Sequence, residues 1–116
     1  MLAVHHANAV LVIALCLAAG VAALIARRRG AGRTVTHLLA LAQTLVVAQL
    51  LLGLLLLADH KRAADRLHYA YGTFTLLCLF APWLYAPSEP RARLAWFAGA
   101  TLLAGALGVR AYMTAT

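Results

Sequence analysis

Acidic side chains are nearly missing from this chain. Asp59, Asp65 and Glu89 are the only three in 116 residues, and serine is scarcer still, with Ser88 alone. The shortage of acids weighs against carboxylate-supported metal centres and against proton-coupled exporters, which need an acid inside the membrane. Small four-helix multidrug exporters have about this length, yet all three acids here fall in loops or at helix ends. The polar track of the similarly small fluoride channels has no residue-by-residue counterpart. A single serine removes the serine–histidine–acid arrangement of a hydrolase. The two cysteines, Cys16 and Cys78, form no CxxC pattern and lie inside apolar stretches, where cysteine packs as a small hydrophobe.

Charged residues of both signs make up only 11% of the chain and hydrophobic ones 65%, too little polar surface to cover a soluble domain. The apolar residues fall into four blocks, roughly 2–26, 35–58, 67–86 and 94–113. Each is close to the ~20 residues with which a helix spans the hydrocarbon of a bilayer. Period-two alternation is absent and Leu and Ala dominate, so the blocks read as helices and not as barrel strands. The expectation is an all-α integral membrane protein, a single four-helix transmembrane bundle over 1–116 with up-down-up-down order. The first block reads as a retained helix and not a signal peptide, because no basic segment precedes it and "RRRG" follows it.

A net charge of +7 raises the question of nucleic acid, but the cations sit in loops and at helix ends, so no nucleic-acid partner is expected. Arg27, Arg28, Arg29 and Arg33 lie between the first two blocks, and Arg91 and Arg93 between the last two. Lys61, Arg62, Arg66 and Arg110 lie on the other side. The positive-inside rule then places the chain in the cell membrane with both termini outside. Thr34, Asp65 and Ser88 are the expected helix caps, and Pro82 is expected to kink or end the third helix.

Five histidines stand against the three acids. His37 and His60 read as solvated or interfacial. His5, His6 and His68 share one side of the membrane and one depth, near the ends of two parallel helices. An imidazole there has to bond or coordinate something. His5 is followed by Ala9 and His68 by Gly72, each four residues on and so one turn deeper on the same face. Val10 follows His6 at that spacing, which makes His5 the preferred ligand and His6 the alternative. A small residue beneath each imidazole leaves room for a flat macrocycle. Arg110 or Arg62 would meet its propionates, with snorkelling to lipid phosphate as the other reading. On the second helix Gln49 and Gly53 repeat the spacing; Gln49 reads equally as an interhelical hydrogen-bonding residue.

The segments "VHHANA", "QLLLG" and "LHYAYG" follow one another in the order seen in one half of a haem A synthase, which this chain resembles over roughly its first 85 residues. That family pairs two four-helix halves, each with a histidine pair for one haem. The resemblance implies His5 and His68 as axial ligands of a haem b near the outer face. In the family's catalytic half a glutamate stands three residues before the first histidine, and here that position is Leu2. The external cysteine pair is also missing. The resemblance therefore implies haem binding more than chemistry on the haem.

The expected function is a small membrane cytochrome b. It would serve electron transfer, with a quinol as donor, or sit within a larger respiratory complex or a homodimer. Catalysis by the chain alone is not expected. The competing reading is a cofactor-free accessory subunit that shields a membrane complex from lipid.

Overall fold

The computed structural model describes residues 2–30 and 32–115. They form four helices: α1 (Leu2–Arg29), α2 (Arg33–Ala58), α3 (Leu67–Tyr85) and α4 (Pro90–Thr114). Three of them, α1, α2 and α4, are long and apolar enough to cross a membrane. At 19 residues α3 is long enough, but it has a lower hydropathy than the other three, with His68, Tyr69, Tyr71, Thr73, Thr75 and Pro82 reducing it. Large apolar side chains are exposed on every helix, among them Leu51 on α2, Leu77 and Leu84 on α3 and Leu103 on α4. Helices that are apolar on all sides suit a hydrocarbon solvent. The long axis of the described residues, 46 Å, is close to the ~40–45 Å of a bilayer with its headgroups.

The interior is built on α1, which packs along both α2 and α4, while α3 packs along α4. Val12, Cys16 and Ala19 of α1, Ala42 and Val46 of α2, Leu79 of α3 and Ala104 of α4 form the buried cluster. Glycines let α1 and α4 approach closely. A methyl group at Gly20 would fall 2.5 Å from Leu102 Cγ, and one at Gly105 would lie 3.1 Å from Leu17 Cδ2. By contrast α2 and α3 scarcely touch, which leaves one seam of the bundle open.

The helix ends depart from two sequence expectations. Helix α2 starts after Gly32 with no side-chain cap, and Thr34 lies inside it. The cap of α4 is Glu89 and not Ser88. Pro90 explains the shift, since its fixed φ and missing N–H suit the first helical position and so make the preceding residue the cap. The Glu89 carboxylate accepts from the N–H groups of Ala92 at 2.7 Å and Arg91 at 3.1 Å. These backbone bonds, Ala92 first, hold its pKa below the ordinary 4.5. At α3, Asp65 Oδ1 accepts from the Leu67 N–H at 2.9 Å, as its position before the helix led one to expect. Pro82 lies within the last turn of α3, and the Ala86 N–H closes that end onto the Pro82 carbonyl.

Candidate functional site

Beside His5 and His68, lined by α1, α2 and α3 and by the connection after α2, lies a partly open cavity of about 330 Å³. That lies in the lower range of small-molecule sites, ~300–1,000 Å³. It sits against the open seam between α2 and α3. His5, His6, Ala9, Gln49, Gly53, Arg62, His68 and Gly72 all line it, so the structure gathers eight of the nine residues singled out from the sequence. Arg110 is the exception. It lies at the histidine level but is exposed, and its guanidinium stands over the Tyr71 ring at 5.4 Å.

The two expected ligands face each other. The rings of His5 and His68 have centroids 6.2 Å apart and stand nearly perpendicular, at 78°. His5 is buried, although it begins only one turn into α1. His6 also lines the cavity, its ring 6.3 Å from that of His5 and tilted by 38°, and it meets Tyr112 of α4 edge-on at 6.2 Å. His68 Nδ1 lies 2.6 Å from the carbonyl oxygen of Ala111. A carbonyl only accepts, so Nδ1 carries the proton and Nε2 keeps the lone pair. Helix α4 thereby fixes both the tautomer and the direction of the His68 ring.

His5 is held from α2. Gln49 Nε2 donates to the His5 carbonyl at 2.9 Å and stands 3.4 Å from the His5 ring Nε2. Asn8 in turn donates to Gln49 Oε1 at 2.9 Å and to the Leu45 carbonyl at 3.1 Å. Asn8 was not among the residues read from the sequence as functional. Its signal is an amide three residues after His5, inside a run of Ala and Val. Despite these bonds His5 Nδ1 is buried without a partner among the described residues. An unsatisfied buried nitrogen costs about 1–3 kcal/mol, which a bound ligand can recover.

Small residues shape the space around the rings. A Cβ at Gly53 would touch His5 Cε1 at 3.4 Å, so glycine there lets α2 come up beside the imidazole. A Cβ at Gly72 would meet nothing within 4 Å. The turn deeper than His68 is thus open volume. Lys61 and Arg62 stand at the rim of the cavity, with Arg62 Nη1 donating to the carbonyls of Leu57 at 3.0 Å and Lys61 at 3.1 Å.

The remaining histidines, His37 and His60, do not line this cavity. His37 is exposed on α2. His60, with φ of 60°, occupies the left-handed position after α2. The His60 and Lys61 N–H groups bond back to the carbonyls of Leu57 and Leu56, a Schellman closure with a histidine in the usual glycine place. Cys16 is fully buried, and Cys78 contacts the Ala100 carbonyl at 3.5 Å; both are free thiols. In comparisons with protein families, curated proteins and solved structures, nothing matches the chain.

Proposed function

We propose that this chain is a small membrane cytochrome that holds one haem b between His5 and His68. In this reading the four helices cross the membrane in alternating directions, both termini lie outside and the cavity opens near the outer face. The observation that carries the reading is the separation of the two rings. Two imidazoles that were to grip one metal from opposite sides would need ring centroids about 6 Å apart. His5 and His68, from different helices, stand 6.2 Å apart, while His5 and His6, at a similar 6.3 Å, are successive residues of one helix. A bare zinc site needs three or four protein ligands. Two imidazoles suffice only where a macrocycle fills the other positions of the iron.

When bound, haem b supplies a one-electron couple. The protein's part is to place and tune it. His68 offers Nε2 because Ala111 holds Nδ1, and that hydrogen bond raises the basicity of the ligand. Gln49 and Asn8 hold the His5 backbone at the right height against α2. Gly72 leaves open volume for a flat ring, Ala9 lines the same cavity, and Gly53 lets α2 approach the His5 imidazole. Lys61 and Arg62 offer positive charge to propionates, a role in which Arg62 now has a stronger claim than Arg110. A single haem near one face serves exchange with a quinol or with a neighbouring respiratory subunit, not passage of electrons across the whole bilayer.

Titration of haem-free protein with haemin tests the proposal. A saturable Soret shift at one haemin per chain supports it. A linear, non-saturating response equal to that of empty detergent micelles removes it.

A further inference from the structure

The far end of the molecule carries a second cavity, of about 390 Å³, where α1 ends and α4 begins. Arg27 and Arg28 line it from one side and Arg91 from the other, over the apolar side chains of Ala26 and Leu94. Three like charges line one cavity, and a single acid, Glu89, stands near enough to Arg91 and Arg27 to offset them in part. Glu89, the acid at this end, has both carboxylate oxygens on backbone N–H groups of α4. The nearby Arg93 is differently placed. Its guanidinium lies over the rings of Phe97 and Trp83, at 5.4 and 5.6 Å, and it does not line the cavity.

We infer that this cavity binds the phosphate group of an anionic phospholipid in the leaflet at the basic end. Guanidinium forks match phosphate oxygens two at a time, and basic pockets between membrane helices select acidic headgroups. The lipid source is favoured over a soluble phosphate by the apolar floor. Ala26 is 5% exposed and Leu94 half-buried, so the site is polar on one side and greasy on the other, as a headgroup with its glycerol is. The inference shares the membrane reading with the proposed cytochrome but needs no haem.

Native mass spectrometry of the detergent-solubilised chain tests it, with phosphatidylglycerol and phosphatidylcholine of the same acyl chains as probes. One phosphatidylglycerol should be retained per chain, in preference to phosphatidylcholine by about tenfold. The triple variant R27Q/R28Q/R91Q should lose that preference, while the charge-matched R29Q/R33Q/R66Q keeps it. Equal retention of the two lipids by the unaltered chain would overturn the site whatever the variants do. So would an equal loss in the charge-matched variant, which would make the attraction diffuse. Displacement of the lipid by excess inorganic phosphate would reassign the cavity to a soluble anion and overturn the lipid assignment.

Discussion

His5 on α1 and His68 on α3 stand 6.2 Å apart across the bundle, although their helices barely pack on one another. Each is positioned by a third party. Gln49 of α2 holds the backbone of His5, and the Ala111 carbonyl of α4 holds the ring of His68. All four helices thus contribute to one pair of imidazoles, α2 through a side chain and α4 through its backbone.

Removing the ligands comes first. His68→Ala and His5→Ala should each abolish the haem absorbance of the purified protein, while His6→Ala, whose ring faces Tyr112, should retain it. Haem content per chain, measured after equal purification, distinguishes these outcomes. Full haem in His68→Ala would show the ligand assignment to be wrong.

Space can be removed without touching the ligands. Gly72 has open volume where a side chain would go, so Gly72→Ala should fold and melt like the parent. Gly72→Leu should also fold but lose most of its haem, because the longer side chain occupies the cavity. Thermal melting and haem content measured together separate blocked binding from failed folding.

The amide relay from Asn8 through Gln49 should matter for stability and for the haem. Gln49→Leu removes the donor to the His5 carbonyl and one of the two acceptors of Asn8, which keeps the Leu45 carbonyl, at a cost of about 1 kcal/mol, typical for such bonds between membrane helices. It should also shift the reduction potential by loosening one ligand. Asn8→Leu should move both quantities in the same direction and by less, since it acts through Gln49. Denaturation curves and a redox titration read the two effects.

Glu89 gives a prediction about pH. Its folded-state pKa lies below 4.5 because its carboxylate accepts N–H groups of α4. The cap therefore stabilises fully above that value, and its contribution fades as pH falls through the lowered pKa. The melting temperature of Glu89→Ala should lie below that of the parent at pH 7, and the gap should close in acid. A gap that persists unchanged to about pH 3 would assign the effect to something other than the carboxylate.

Much of this arrangement could be read from residue spacing. Histidines followed at i+4 by Ala9 and Gly72 marked one helix face each, and the structure places those residues around one cavity. Helical spacing is fixed by backbone geometry, which is why it survives into the fold. Side-chain direction at a helix end is not so fixed. Arg110 had the right depth and yet turns toward Tyr71, a choice made by its neighbours on α3. Asn8 escaped attention because its partners, Leu45 and Gln49, lie 37 and 41 residues away. The caps were misplaced for a local reason. A proline at the first helical position moved the start of α4 back to Pro90, and α2 begins at Arg33, directly after an extended Gly32.

The most direct test is the optical spectrum of the detergent-purified protein, oxidised and then reduced with dithionite, together with a pyridine haemochrome assay. The account predicts sharp reduced α and β bands and about one haem b per chain. A colourless protein from cells supplied with ample haem would contradict it, and would favour a cofactor-free subunit that lends its apolar helices to a larger membrane complex.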